Sequence, residues 1–217
     1  MQLVVIAKAP VPGRVKTRLT PPCTPEQAGA IAQAALHDTL ATVAATPASR
    51  RVIALDGQPG AWLPDGFDIL AQRTGGLANR LFGAFEDCFH FSPEPVVLIG
   101  MDTPQVTVDH LVRVQMALQA GSDAVMGMAS DGGYWLIGLR RLEPDAFAGV
   151  PMSTDDTGAA QFERLKSSGY RVTLTDELRD VDSAMDAVKV ASEMPGSRFA
   201  AAVDAAFTSH PLGGRKN

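Results

Sequence analysis

Cysteine is scarce in this 217-residue chain: there are two, Cys23 and Cys88, far apart and outside any metal-ligand spacing. Such a pair gives no disulfide framework and reads as two ordinary thiols. Aromatic residues make up 6% and form no patch interleaved with basic ones, which argues against nucleic-acid binding. Positive charge is also in deficit, with 19 Lys and Arg against 24 Asp and Glu and a net charge of −5. That balance speaks against a general binder of nucleic acid or of anionic membrane. No apolar run reaches the length of a membrane span, and no charged leader precedes the first strand. A cytoplasmic protein without a signal peptide is therefore expected. Internal repeats and low-complexity linkers are absent too.

The hydrophobic content of 46% and charged content of 20% are ordinary for a soluble protein with one substantial core. One domain is expected over residues 1–200, followed by a C-terminal tail at 201–217, where His210–Asn217 show no apolar periodicity. Strand-like and helix-like segments alternate, so the predicted class is α/β, with a mostly parallel sheet covered by helices. Strands are predicted at 2–7, 51–55, 67–71, 95–100, 123–128, 133–139 and 171–175. Helices are predicted at 25–46, 77–90, 107–120, 156–168 and 183–194, the first opened by Thr24-Pro25-Glu26. The run Val96-Val97-Leu98-Ile99-Gly100 is apolar throughout, as a strand buried on both faces should be.

Against the overall acidity, one stretch is basic. The first strand runs directly into Lys8-Ala9-Pro10-Val11-Pro12-Gly13-Arg14-Val15-Lys16-Thr17-Arg18. Prolines stiffen this loop, and Gly13 permits close approach of a ligand. Guanidinium groups bind phosphate oxygens through paired hydrogen bonds and lysine supplies a compact charge. In an open α/β sheet ligands bind beyond the carboxyl ends of strands. Lys8, Pro12, Gly13, Arg14, Lys16 and Arg18 are accordingly candidates for binding the phosphates of a nucleotide. The Walker spacing is missing.

Two carboxylates stand out. Asp102 follows the apolar strand in Ile99-Gly100-Met101-Asp102-Thr103-Pro104, where it either caps the next helix or serves as a ligand of Mg²⁺, which takes one or two carboxylates plus substrate phosphates. Asp182, in Asp180-Val181-Asp182-Ser183, either caps the last predicted helix or is the second metal carboxylate. Ala129-Ser130-Asp131-Gly132-Gly133-Tyr134 reads as a tight turn before a strand and as a place where Asp131, Gly132, Gly133 and Tyr134 meet an acceptor or a sugar; the two are compatible. In Gln72-Arg73-Thr74-Gly75-Gly76-Leu77-Ala78-Asn79-Arg80 the glycines do not match the dinucleotide fingerprint. Arg73, Gly75, Asn79 and Arg80 there either contact the nucleotide or form a plain strand-to-helix loop.

Residues 8–19, the Ile-Gly-Met-Asp-Thr-Pro stretch, Asp131–Leu139 and the late Asp-Val-Asp resemble, in order and over roughly residues 1–190, the radical-SAM/selenodomain-associated transferase family, group one. That family was long a domain of unknown function and is placed in the GT-A-like nucleotide-diphospho-sugar transferase superfamily. The resemblance implies a three-layer α/β/α, Rossmann-like fold. More distantly the chain is similar to molybdenum cofactor guanylyltransferase, phospholactate guanylyltransferase and CMP-Kdo synthetase. By resemblance Lys16 and Arg18 meet the phosphates, Asp102 is the first metal ligand and Asp182 the second, with Mg²⁺ or Mn²⁺ as cofactor. The first loop lacks the Gly-Gly start of those nucleotidyltransferases, and Met152-Ser153-Thr154 stands where the family often has a tryptophan.

The function expected from these readings is Mg²⁺-dependent nucleotidyl transfer from an NTP to a small anionic or phosphorylated acceptor, with pyrophosphate leaving against Lys16 and Arg18. Glycosyl transfer from an NDP-sugar, with Asp131 as the group to test as base, is the alternative. A nucleotide-binding protein without catalysis is a third. The partners expected are a nucleotide and a small molecule, neither nucleic acid nor membrane.

Overall fold

Residues 1–208 are described in a computed structural model. Seven strands form one sheet: β1 (Gln2–Lys8), β2 (Arg50–Asp56), β3 (Asp68–Ala71), β4 (Val96–Gly100), β5 (Ala124–Ala129), β6 (Tyr134–Leu139) and β7 (Val172–Leu178), in the order β3-β2-β1-β4-β6-β5-β7. All run parallel except β6, which is antiparallel to both β4 and β5. Six α-helices accompany them: α1 (Pro25–Ala45), α2 (Leu77–Phe91), α3 (Val108–Gln119), α4 (Thr157–Ser167), α5 (Ala184–Glu193) and α6 (Arg198–Thr208).

Alternation along the central strands explains the layering. Leu3, Val5 and Ala7 of β1 face one way with Ile53 and Leu55 of β2, where Leu36 and Leu40 of α1 and Leu111 and Val114 of α3 cover them. Val4, Val52 and Ala54 face the other way, under Leu81 and Phe85 of α2 and Leu165 of α4. Both faces of the central strands are covered, while Ile69 of β3 and Leu174 of β7 at the edges stay exposed, so the molecule has three layers, α/β/α, as the resemblance implied.

Local signals set the helix starts. Thr24 caps α1 by accepting from the Gln27 backbone N–H at 3.2 Å while the Gln27 side chain accepts from the Thr24 N–H at 2.8 Å, with Pro25 in the first helical position. The seven strands and first five helices lie where the sequence put them, within a few residues. One element differs. The chain does not loosen at residue 201: α6 continues to Thr208, and Phe199, Val203 and Ala206 are buried against α1 and α5. The remainder of the expected tail, including His210–Asn217, lies outside the described residues.

The strand order changes direction at β1. From it the chain steps outward to β2 and β3 on one side, and β4 lies on the other. Loops leaving the carboxyl ends of β1 and β4 therefore diverge, and the crevice between them is where open α/β sheets bind ligands.

Candidate active site

A cleft of about 570 Å³ opens at that crevice. Its floor is apolar: Ile6 of β1, Leu98 of β4, and Leu77 and Leu81 of α2. Its walls are charged, with the two signs on different elements.

The basic side is the loop after β1. Lys8, Arg14, Lys16 and Arg18 all line the cleft. Pro12 and Gly13 do not: Pro12 lies against Gly29 of α1, where a side chain would meet its ring at 3.2 Å, and Gly13 takes the left-handed turn at φ +75°. These two shape the loop. Lys16 is drawn inward, its side chain 5% exposed, and its ammonium lies 2.5 Å from Asp102 Oδ1 and donates to the carbonyl of Val181. Arg18 stays 75% exposed and donates to Asp182 Oδ2 at 2.9 Å. Lys8 and Arg14 have no carboxylate partner among the described residues, which leaves them as the uncommitted cations of the loop.

The acidic side comes from three loops. Asp102 follows β4, Asp131 sits in the β5–β6 turn, and Asp180 and Asp182 precede α5. Neither Asp102 nor Asp182 caps a helix. Thr107 caps α3, accepting from the His110 N–H at 3.3 Å, and Ser183 caps α5, accepting from the Asp186 N–H at 3.2 Å. The capping alternatives for the two aspartates fail, and both carboxylates face the cleft.

Asp180 was not singled out by the sequence. One of its oxygens, Oδ1, is buried without a hydrogen-bond partner among the described residues. Burial pushes the carboxyl up to about 7, the charges of Asp102 and Asp131 add to the rise, and Lys16 opposes it. A buried carboxylate oxygen without a donor, beside further carboxylates, is what a hard divalent cation satisfies. The residues present thus fit a divalent ion such as Mg²⁺ or Mn²⁺, with Asp102 and Asp180 as the carboxylates that would hold it; Asp182 is paired with Arg18 as Asp102 is with Lys16. As the chain stands, no trio of His, Cys, Asp or Glu among the described residues is closed up tightly enough to hold a metal, and Lys16 occupies Asp102.

The third wall is made of the β5–β6 turn and the loop before α4. Asp131 Oδ1 accepts from the Gly133 N–H at 2.9 Å, which tightens the turn. Gly132, at φ +89°, lies so close to the Asp155 carbonyl that a Cβ would come within 1.8 Å of it, and its own carbonyl accepts from the Gly158 N–H at 2.8 Å. The turn and the α4 loop are therefore locked together. Asp131, Gly133 and Tyr134 line the cleft, while Gly132 supports from behind. Burial raises the Tyr134 phenol, whose hydroxyl has no partner among the described residues. Ser153, Thr154 and Asp155 also line this wall, Ser153 with a left-handed backbone at φ +63°. No Lys or Arg of these two segments reaches the cleft.

The loop before α2 contributes less than expected. Arg73 leaves the cleft, folding over Gly83 to pair with Glu86 at 2.6 Å and Asp87 at 2.8 Å. Asn79 donates to the Thr74 carbonyl at 2.7 Å, and Gly75 supplies a turn at φ +106°. Arg80 does line the cleft, tied to Asp56 at 3.0 Å. Gln72 donates to the carbonyls of Ala7 and Ala54 at 2.8 and 2.9 Å, closing the ends of β1 and β2.

Comparison with known proteins agrees with this architecture. A family profile described as an uncharacterized protein conserved in bacteria (DUF2064) matches residues 31–154. No curated protein matches the chain. Among solved structures, the chain is similar to a Desulfovibrio desulfuricans G20 protein provisionally assigned as a nucleotide-diphospho-sugar transferase, with 26% identity, 98% of each chain covered and a TM-score of 0.87. Rv0371c from Mycobacterium tuberculosis H37Rv, solved in complex with manganese, shares the fold at 22% identity and TM-score 0.53, with 87% of this chain and 96% of that one covered. A cytidylyltransferase from Leptospira borgpetersenii shares it at 12% identity and TM-score 0.58, with 97% and 94% covered.

Proposed function

This chain belongs to the family of uncharacterized proteins conserved in bacteria (DUF2064), and we propose that it is a divalent-metal-assisted transferase that grips a nucleotide donor by its phosphates. The observation that carries this reading is the division of charge across one cleft at the switch point. Lys8 and Arg14 stand uncommitted on one side, and Asp102, Asp131, Asp180 and Asp182 stand on the other. The narrower grouping with radical-SAM- and selenodomain-associated transferases belongs to the same reading.

The bond we infer to be broken is the glycosyl bond of an NDP-sugar. The wall of Asp131, Ser153, Thr154 and Asp155 offers hydroxyls and carboxylates to a sugar and an uncharged acceptor, and no cation to a phosphorylated one. The Desulfovibrio protein, similar over nearly the whole chain, carries the corresponding assignment. In this chemistry the acceptor oxygen bonds to the anomeric carbon, the bond from that carbon to the diphosphate oxygen breaks, and the nucleoside diphosphate leaves. Lys8 and Arg14 receive the departing charge, and Asp131, held by the Gly133 N–H, takes the acceptor proton. A Mg²⁺ or Mn²⁺ held by Asp102 and Asp180 would neutralise charge on the leaving phosphates.

Nucleotidyl transfer from an NTP, the reading favoured by the sequence, remains the second. It is supported by Lys16 and Arg18, which extend the basic row once their carboxylates find another cation. In that case the acceptor oxygen attacks the α-phosphorus and pyrophosphate leaves. One experiment separates them: purified protein with Mg²⁺ or Mn²⁺ is given NTPs and NDP-sugars with a panel of small acceptors. Accumulation of nucleoside diphosphate from an NDP-sugar supports glycosyl transfer, and pyrophosphate from an NTP supports nucleotidyl transfer. Nucleotide-induced thermal stabilisation with neither product marks a non-catalytic binder.

A further inference from the structure

Lys16 is the feature of this cleft that phosphate binding does not explain. A lysine meant only to catch phosphate should reach into solvent, as Lys8 does. Lys16 instead buries its ammonium against Asp102 Oδ1 at 2.5 Å and the Val181 carbonyl. Its backbone is left-handed, at φ 48° and ψ 36°. A lysine is rarely held so, and its two side-chain contacts supply part of the restraint. Both partners belong to loops that bear the proposed metal carboxylates, since Val181 stands between Asp180 and Asp182.

We propose that Lys16 is a built-in cation that closes the metal position until phosphate arrives. In the ligand-free protein its ammonium neutralises Asp102 in place of the divalent ion. When a donor enters, the ammonium transfers to a phosphate oxygen and the divalent ion takes the vacated carboxylate. Lys16 is on this account a positioning residue, which makes metal binding and phosphate binding mutually dependent. The inference rests on the metal-assisted reading above. Its chemistry is an exchange of ion pairs, with no covalent bond made or broken. An ammonium and a divalent ion repel strongly when they share one carboxylate oxygen, so the two cations exclude each other at Asp102. Arg18 pairs with Asp182 in a parallel way and the two aspartates are equally exposed, but its guanidinium is 75% exposed where the Lys16 side chain is 5% exposed, which makes that pair weak. Arg18 is therefore the internal control: the same charge, on the same loop, in the same cleft.

The test is Mn²⁺ binding to the nucleotide-free protein, read as loss of the free-ion EPR signal. Lys16→Met and Lys16→Gln both remove the ammonium and should each tighten Mn²⁺ binding at least about tenfold over wild type, while Arg18→Met should change it less than about threefold. Equal gains in the Lys16 and Arg18 variants mean a general field effect and overturn the proposal, as do Lys16 variants that bind Mn²⁺ no better than wild type. A second arm does not depend on Lys16 variants folding. In EDTA, Asp102→Asn frees the ammonium and should tighten pyrophosphate binding, measured by calorimetry, clearly more than Asp182→Asn does; equal effects overturn the proposal. If no protein in the series binds Mn²⁺, the metal reading falls as well. Mn²⁺ binding that ignores Lys16 removes the exchange alone.

Discussion

The backbone N–H of Val181 donates to the carbonyl of Asp102 at 2.9 Å. That bond fixes the loop before α5 against the end of β4, although the two are far apart in sequence. Gln105 adds a second tie, donating to the Arg179 carbonyl at 2.7 Å. Val181 itself is buried among α1, α5 and α6. With the valine anchored, its two neighbours take different environments: Asp180 sinks beside Asp102 and Asp131, and Asp182 meets Arg18.

The buried Asp180 makes stability depend on pH. Its carboxyl is raised from 3.8 to about 7, chiefly by burial. Between those values the folded protein keeps a proton that the unfolded chain has released, so stability falls as pH rises. The contribution is complete below about 3.8, declines through the window and is gone above about 7. Asp180→Asn cannot titrate. In EDTA, its stability relative to wild type should improve by about 1–3 kcal/mol between pH 5 and pH 8, measured by urea unfolding at both values. A constant difference would mean that Asp180 ionises in the native state as it does in water.

Uncommitted cations and committed ones should behave differently when removed. On the proposed reading Lys8→Ala or Arg14→Ala removes a charge-assisted contact to the donor phosphates and should weaken nucleotide binding about tenfold or more. Arg73→Ala removes a guanidinium that faces Glu86 and Asp87 instead of the cleft. It should leave nucleotide affinity within about twofold and cost no more than about 1 kcal/mol of stability. Calorimetric titration of the three variants with a nucleoside diphosphate checks the contrast, and an Arg73 effect as large as that of Arg14 would return Arg73 to the site.

What the sequence made legible follows from burial. Strands such as Val96–Gly100 are apolar on both faces because both faces are covered, and that leaves a continuous signal. The basic loop was legible because four cations in a few residues of an acidic chain require a partner. The difference between Asp180 and Asp182 was not. In Asp-Val-Asp the two are equivalent until Val181 is anchored, and that anchor is a long-range contact. Arg73 and Arg80 looked alike for the same reason, since only the packing of Arg73 over Gly83 brings it to Glu86 and Asp87. Helix α6 was not singled out, although Phe199, Val203 and Ala206 form an apolar stripe at helical spacing.

That stripe is nevertheless structural. Phe199 is fully buried in the cluster with Leu19, Ile31 and Val190, and its N–H donates to Asp38 of α1 at 2.8 Å. Phe199→Ala should cost about 3–5 kcal/mol. Because Val181 shares that cluster, the variant should also loosen the loop carrying Asp180 and Asp182. Hydrogen exchange at the Val181 amide reports this directly, and its protection should drop more than that of amides in β2.

Gly132 tests whether the third wall must be rigid. It has a left-handed φ of +89°, and a Cβ there would approach the Asp155 carbonyl to 1.8 Å. Neither neighbour can yield cheaply, because Gly158 is packed just as tightly, a Cβ there falling 2.5 Å from the Gly133 carbonyl. Gly132→Ala combines backbone strain with overpacking and should destabilise the protein by about 2–4 kcal/mol. The larger effect should fall on function. Pushing the α4 loop outward moves Ser153, Thr154 and Asp155 away from Asp131 and enlarges the proposed acceptor side of the cleft, while Lys8 and Arg14 on the far wall keep their places. Nucleotide affinity should therefore change less than about threefold, whereas turnover falls about a hundredfold or more, because misplacing reacting groups by an ångström costs that much. A variant that loses both in equal measure would show that the wall shapes the donor site as well.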